Sequence, residues 1–311
     1  MICVPLFMIL SGYLIHTKAI SKKYYCKLTR ILFAFAVSSV LCGLYYKFVI
    51  DSDVSIGSII VNTFAFKSAP YSWYIEMYIG LFLLIPFLNI LYDGIETKQH
   101  KQVLIATLVA MTALPGILNI YRVAGISWWL MPSTSRTYSP IIPDWWTSIY
   151  PLTYFYIGKY LREFPIQLSN RKKLLYFILV SLAAGLFNYY RSYGSEFISG
   201  SWQDYGSLLI LIPSVLVFSL FADLDYSNLP DPARSVFSTI SRLSLGAYLM
   251  SWIPDQFVYV TLNNAIPDVV DRMIFFPVAV LIVLLCSLLL SAGIDSLYSV
   301  LSKLFLRKKI S

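Results

Sequence analysis

Residues 71–91 read YSWYIEMYIGLFLLIPFLNIL, and this stretch decides the class of the protein. It contains one charged residue, Glu76, in a run of the length that crosses a bilayer, which takes about 17–25 mostly apolar residues. The whole chain has the same character: 58% of its 311 residues are hydrophobic and only 13% are charged, whereas an ordinary soluble domain has about 25% charged residues. So few charges could not cover a soluble surface of this size. The composition therefore predicts an integral membrane protein and argues against a soluble enzyme or a disordered chain.

The hydropathy pattern predicts an all-α fold, a polytopic membrane helical bundle with about nine transmembrane helices. The longest connection, 121–144, is too short for a separate soluble domain, so we expect one membrane domain over residues 1–311. The first segment has no basic leader and no small-residue cleavage site, which favours a membrane helix over a signal peptide. The predicted segments are 1–16, 31–50, 73–92, 103–120, 145–161, 174–190, 205–221, 238–260 and 272–293.

Lysine and arginine are distributed unequally between the two sides of this topology. Eighteen of the 24 fall in alternate connections and in the tail, Lys47 lies near a helix end, and five fall on the opposite side, namely Lys67, Arg122, Arg136, Arg191 and Arg272. By the positive-inside rule the richer side is cytoplasmic, which places the C-terminus in the cytoplasm and residue 1 outside. The net charge of +8 then forms mostly a cytoplasmic collar facing anionic lipid headgroups. We expect membrane lipids as partners and no nucleic acid.

Cysteine and histidine are too few and too scattered for a metal centre. No pair among the four cysteines has metal-ligand spacing, and the only histidines are His16 and His100. We therefore expect no metal site and no disulfide framework.

Five segments together resemble the acyltransferase-3 family of integral membrane O-acyltransferases, which includes envelope polysaccharide O-acetyltransferases. They occur in the family's order and span nearly the whole chain: VPLFMILSGYLI (4–15), KKYYCKLTRIL (22–32), the opening stretch (71–91), FYIGKYL (155–161) and LSLGAYLMSWI (243–253).

The resemblance implies a ten-helix enzyme of the plasma or inner membrane. Such an enzyme takes an acyl group, often acetyl, from cytoplasmic acyl-CoA. It delivers that group to a hydroxyl of an envelope polysaccharide or lipid-linked sugar at the outer face. Acyl-CoA would be a co-substrate, and no permanently bound cofactor is expected.

The chain departs from the family's pattern at the residues implied to do the chemistry. The family's first helix bears an Arg and a His, and this chain begins at what resembles the second helix. His16 does not match the family position, and a second family His is replaced by Ser251. We therefore expect the chain to lack the first helix and the general base, through a misplaced start codon, a disrupted gene or a real short form. By itself it should show little or no transferase activity.

Lys27 and Arg30 form a K-x-x-R pair whose members share a helix face. They match the family's R-x-x-R motif, which is implied to contact the acyl donor from the cytoplasmic side. Arg offers phosphate a planar bidentate fork, whereas Lys offers a point charge. The alternative is a basic flank of the positive-inside kind with no ligand.

Glu76 is the candidate catalytic residue, because acyl transfer to a hydroxyl needs a base and a carboxylate inside an apolar helix is costly without a purpose. Trp73, three residues earlier, shares its helix face and is assigned to the acceptor side. The alternative is an interfacial glutamate that reaches water. Ser11 and Tyr13 flank Gly12 in the family's Ser-Gly-aromatic segment; they are interpreted either as helix-packing residues or as residues that line the donor's path.

The outer connection 121–144 supplies two further acceptor-side candidates, Arg122 and Arg136, with Trp128 and Trp129 beside them. Tryptophan faces stack on sugar rings and arginine binds acidic sugars or a lipid diphosphate, but tryptophan is also usual at any membrane interface. Asp255, in the eighth segment, is another intramembrane acid whose partner the sequence does not identify.

Two other functions are compatible with the pattern. A transporter or flippase of lipid-linked sugars would also be polytopic with a few intramembrane polar residues, although the Pro and Gly breaks of the first half do not recur in the second as internal repeats would require. A membrane scaffold without a ligand is the third possibility.

Overall fold

The computed structural model describes residues 2–120 and 140–307, and every regular element within these ranges is helical. A π-helical turn covers Tyr46–Ile50, and short 3-10 turns cover Thr147–Ile149 and Ser201–Gln203. The helices are α1 (Cys3–Leu14), α2 (Lys22–Tyr25), α3 (Leu28–Tyr45), α4 (Ile56–Phe64), α5 (Trp73–Asp93), α6 (Lys98–Thr112), α7 (Pro115–Leu118), α8 (Tyr150–Glu163), α9 (Asn170–Ser192), α10 (Leu208–Ala222), α11 (Asp231–Met250), α12 (Trp252–Ala265), α13 (Val269–Met273) and α14 (Phe276–Arg307).

The prediction of a polytopic helical membrane protein is confirmed. Within the described ranges a helix lies at each of the nine predicted positions. Six helical stretches are long and apolar enough to cross a membrane: Lys22–Ile50, Trp73–Asp93, Lys98–Leu118, Asn170–Ser192, Ser201–Ala222 and Phe276–Leu304.

The other three predicted positions carry shorter or divided helices. The first, α1, has 12 residues and α8 has 14, whereas about 20 residues are needed to span the hydrocarbon core. The predicted segment 238–260 is divided at Ser251 into α11 and α12.

The long apolar helices present large side chains outward. Leu186 on α9 is 69% exposed and Leu289 on α14 is 74% exposed. In water this would be an unfavourable surface, but lipid tails are as apolar as leucine, so these faces suit contact with the bilayer.

Contacts group the chain into two compact units. The first unit comprises Met1–Ile20 and Leu81–Tyr226, and the second comprises Ser21–Gly80 and Ser227–Ser311. The division falls within α5, between Gly80 and Leu81. The expectation of one membrane domain over the whole chain stays a prediction.

In the first unit, α1 packs closely on α8 because each helix has a glycine at the contact. A Cβ atom on Gly12 would lie 1.9 Å from the carbonyl oxygen of Phe155, and one on Gly158 would lie 2.0 Å from that of Ile9. The two backbones therefore touch at a distance that no other residue allows. The FMILSGYL and FYIGKYL segments are thus packing partners.

Three lysines of the predicted cytoplasmic collar are buried in this unit. Lys101, Lys159 and Lys173 pair with Glu163, Asp93 and Asp223 respectively. The interpretation that they face lipid headgroups is wrong for these three, because their side chains are buried. A buried ammonium requires a partner charge, and the three carboxylates supply it.

In the second unit, α11 packs on α14 and α3. Ser291 of α14 donates a hydrogen bond to the Leu243 carbonyl of α11 over 2.8 Å, beside Gly246. The short helix α4 also belongs to this unit and packs Ile59 against Gly43 of α3. The sequence does not predict α4, because nine residues are too few to span a membrane.

Candidate functional site

Two arginines of the second unit meet one carboxylate. Arg30, in the first turn of α3, donates from Nη2 to Oδ1 of Asp295 on α14 over 2.5 Å. Arg242 of α11 lies 3.4 Å from the other oxygen, Oδ2. The side chain of Asp295 is only 17% exposed, whereas those of Arg30 and Arg242 are 49% and 56% exposed. The carboxylate is thus recessed, and the guanidinium groups remain accessible around it.

This cluster borders a cavity of about 210 Å³ between α3, α11 and α14. The rest of its lining is largely apolar and includes Phe33, Ala34, Leu243 and Tyr298. Two guanidinium groups and one carboxylate leave an excess of positive charge at the cavity. A planar guanidinium with open N–H groups is the side chain best suited to bind phosphate bidentately.

Lys27 does not join this cluster. It stands at the N-cap position of α3 without a capping hydrogen bond, is exposed, and makes no polar side-chain contact with the residues that the structure describes. The predicted K-x-x-R pair is therefore divided in the structure: Arg30 borders the cavity and Lys27 does not. Its role as a donor contact stays a prediction.

Arg242 and Asp295 are functional candidates that become evident only in the structure. Asp295 is the only acidic residue within α14, a helix of 32 residues, and an acid in such an apolar helix is a signal of a partner or a site. Arg242 has no such signal, because an arginine near a membrane helix end is what topology alone produces.

Asp255 has a partner in the second unit. The Tyr71 hydroxyl, in the loop before α5, donates to Oδ2 of Asp255 over 2.7 Å. Burial makes the larger contribution to a raised pKa of Tyr71, and the adjacent Asp255 carboxylate raises that pKa further. The hydroxyl therefore keeps its proton and remains the donor. The Tyr71 ring also packs against Tyr248, 5.7 Å between centroids. The structure therefore places a satisfied polar pair at the junction of α11 and α12.

Glu76 and Trp73 lie in the first turn of α5. The Glu76 side chain is exposed and makes no hydrogen bond or ion pair with any described residue. Trp73 is partly buried and meets Tyr74 edge-on, 6.2 Å between ring centroids. The catalytic assignment of Glu76 and the acceptor-side assignment of Trp73 stay predictions.

Ser251 stands at the position where the resemblance implies a histidine, and its side chain forms a hydrogen bond with the C-terminal turn of α11. Its hydroxyl donates to the Tyr248 carbonyl over 2.9 Å, between α11 and α12. This contact satisfies the hydroxyl locally.

Ser11 and Tyr13 both belong to the first unit. Ser11 donates to the Phe7 carbonyl of its own helix over 2.9 Å, so the hydrogen bond stays within α1. Tyr13 meets Phe218 of α10 edge-on, and the Arg162 guanidinium lies over its ring at 4.9 Å. Packing is carried by Gly12 and Tyr13, and the path-lining interpretation stays a prediction.

Two of the predicted acceptor-side residues, Arg122 and Arg136, lie outside the described residues, as do Trp128 and Trp129. Among the residues that the structure does describe, no three His, Cys, Asp or Glu side chains are grouped as metal ligands.

Comparison with known proteins identifies a family. The family model for an acyltransferase domain, that of the acyltransferase-3 family, matches residues 1–292. No curated protein and no solved structure matches the chain significantly. The match covers every described residue of the two-arginine cluster except Asp295, which follows its end by three positions.

Proposed function

The chain belongs to the acyltransferase-3 family, and on that premise we propose that it moves an acyl group, in the first instance acetyl, from cytoplasmic acyl-CoA to a hydroxyl of an envelope polysaccharide or lipid-linked sugar. The observation that carries the donor half of this proposal is the convergence of Arg30 and Arg242 on Asp295 at a cavity.

A phosphate group of CoA would displace the Asp295 carboxylate and accept hydrogen bonds from the guanidinium N–H groups in its place. Both ligands are anionic oxygen acceptors, and the arginines are exposed enough to turn from one to the other. Lys27, one turn before Arg30, would add positive charge without a direct contact. The lysine and arginine distribution supports a cytoplasmic location for this end of α3, which is where acyl-CoA is available.

The chemical step breaks one C–S bond and forms one C–O bond. A base removes the acceptor hydroxyl's proton as its oxygen attacks the thioester carbonyl, and the CoA thiolate leaves and takes up a proton. Hydrogen-bond donors must stabilise the oxyanion in between. We assign the proton acceptor to Glu76, and the acceptor-side contacts to Trp73, Arg122 and Arg136, from their places in the sequence.

The first experiment measures donor binding, because that is the step in which the two arginines would act. CoA is titrated into the purified 311-residue protein in detergent, and into the R30A and R242A variants. Each variant should bind about tenfold more weakly, the value of one charge-assisted hydrogen bond of roughly 1.5 kcal/mol. R234A is the matched control, because Arg234 is an exposed arginine of the same helix, α11, that does not border the cavity.

The second experiment tests the acceptor half. Membranes that contain the protein are supplied with labelled acetyl-CoA, and the label is followed into the polysaccharide and lipid-linked sugar fractions. At a limiting acetyl-CoA concentration the label incorporated should fall about tenfold in R30A, disappear in E76Q and persist in R234A. A protein that does not bind CoA, or that moves labelled lipid-linked sugar across the membrane without acylating it, would contradict the proposal and favour a transporter.

A further inference from the structure

A polar cavity of about 350 Å³ lies in the first unit, where α1, α5 and α8 end and α6 begins. Its lining contains three basic side chains, Lys101, Lys159 and Arg162, two carboxylates, Asp93 and Glu163, and the rings of His16 and Tyr92. The acyltransferase proposal uses none of these residues. The excess of basic groups raises the question of which of them are already satisfied.

Lys101 is satisfied by residues of the protein. Its ammonium lies 2.8 Å from both oxygens of Glu163, to which Tyr92 also donates over 3.2 Å. The ammonium also lies 4.7 Å from the centre of the Tyr92 ring. Lys101 therefore forms part of the cavity wall with its charge paired.

Lys159 is satisfied in the same way. It lies 2.7 Å from Asp93 and 3.1 Å from the Asn89 side-chain oxygen. Its ammonium is 5.0 Å from the centre of the Tyr92 ring, so this ring lies against both lysines. Asn89 is held in turn by the carbonyls of Ile15 and Lys18, at 3.0 and 2.9 Å. The wall of the cavity is thus a connected, preformed network.

Arg162 is the basic group of this cavity that has no acid partner among the described residues. Its guanidinium lies over the face of Tyr13, 4.9 Å from the ring centre. Stacking uses the face of the guanidinium and leaves the N–H donors at its edge available. Arg162 is exposed, so a ligand could reach it from outside.

His16 contributes a fixed ring on the same side. Its Nδ1 lies 3.0 Å from the Tyr13 carbonyl oxygen, and since a carbonyl only accepts, Nδ1 carries the proton in this contact. Tyr13 therefore holds two of the lining groups, Arg162 through its ring and His16 through its backbone. A basic group held in place and left unpaired is the arrangement expected of an anion site.

We propose that this cavity binds a phosphate group, with Arg162 as its direct ligand and the two paired lysines forming a preformed, charge-balanced wall around it. This chemistry has two available sources: the headgroup of an anionic phospholipid, since basic pockets at helix ends bind such headgroups, and a phosphate of the acyl-CoA nucleotide. The site is separate in its residues from the Arg30 cluster and does not depend on transferase activity.

The test has one arm for each source. In the lipid arm, the 311-residue protein is placed in nanodiscs of phosphatidylcholine with or without phosphatidylglycerol, and the phospholipid it retains is counted by native mass spectrometry. In the nucleotide arm, CoA is titrated into the protein in phosphatidylcholine alone. Both are repeated with R162A, with R162K, and with R171A, an exposed arginine nine residues further on that does not line the cavity.

R162A should lose phosphatidylglycerol retention, or bind CoA about tenfold more weakly, while R171A behaves as the parent. R162K should fall between them, because it keeps the charge and loses the planar fork. An effect in either arm supports the site and identifies the source. Equal retention and equal CoA affinity in all four proteins would overturn it. If R162A does not fold, R162K is compared with the parent by phosphatidylglycerol retention and CoA affinity. A loss in either measurement supports the site, and no change in both overturns it.

Discussion

Arg30 and Asp295 are 265 positions apart in the chain, yet the guanidinium of one donates to the carboxylate of the other over 2.5 Å. The contact joins the start of α3 to the C-terminal part of α14. Arg242 shares the same carboxylate. Asp295 thus holds two arginines near one another and also competes with any anion that would bind them.

This competition predicts that Asp295→Asn strengthens CoA binding. The amide keeps the shape of the side chain and removes the negative charge, so a phosphate no longer displaces a charged competitor. We expect about fivefold tighter binding, from roughly 1 kcal/mol for a partly exposed ion pair. The measurement is a CoA titration of the purified protein at fixed ionic strength.

The control for that variant is Asp231→Asn, since Asp231 is an exposed acid at the start of α11, outside the cavity. It should leave the affinity unchanged. Weaker CoA binding by the Asp295 variant would mean that the carboxylate serves mainly to position the arginines, and the competition argument would fail.

Gly12→Ala should destabilise the first unit. Its new methyl group would lie 1.9 Å from the Phe155 carbonyl oxygen, which is backbone and cannot move aside without separating α1 from α8. Overpacking of this kind costs about 1–3 kcal/mol. Thermal unfolding in detergent measures the effect. Gly185→Ala in α9 is the matched control, because a Cβ there meets nothing within 4 Å, and an unfolding temperature lowered equally in both variants would refute the packing argument.

The ion pair between Lys173 and Asp223 predicts an asymmetric result. The Lys173 side chain is completely buried, whereas that of Asp223 is 33% exposed. Asp223→Asn leaves a buried ammonium without its partner and should cost about 3–5 kcal/mol. Lys173→Met leaves a carboxylate that reaches water and should cost less.

Denaturant unfolding of the two variants and of Lys172→Met, the exposed neighbour, measures this difference. Lys172→Met should have almost no effect on the free energy of unfolding. Equal losses for Asp223→Asn and Lys173→Met would show that the pair's desolvation is shared and not concentrated on the lysine.

Tyr71→Phe should destabilise the second unit by about 1–3 kcal/mol, because Asp255 loses its hydrogen-bond donor while remaining partly buried. Combining it with Asp255→Asn in a double-mutant cycle should give a coupling energy of similar size. Tyr46→Phe, at an exposed tyrosine of the same unit, is the control. A coupling energy near zero would mean that the contact contributes nothing to folding.

Much of the fold was predictable because a bilayer restricts the choices. Every spanning segment must satisfy its backbone internally and be apolar for about 20 residues, so hydropathy locates the helices almost directly. Hydropathy misses two features of the fold: α4 is too short to stand out as a spanning segment, and the apolar segment 238–260 conceals the break at Ser251.

The site was only partly predictable. Arg30 is found through its motif and Asp255 through its unusual place in an apolar helix. Asp295 carries the same signal as Asp255 but is recognised as a partner of Arg30 only when α3 and α14 are seen side by side. Lys159 and Lys173 show the opposite failure, since a lysine near a helix end is interpreted by position as exposed and here is buried in an ion pair.

The sequence by itself determined that this is a helical membrane protein of the acyltransferase-3 family, because hydropathy and the order of short segments are properties of one chain read along its length. Only the tertiary structure decided which charges meet. Side chains attract, pair and lose water according to their distance in space, and that distance is set by helix packing between segments as remote as Arg30 and Asp295.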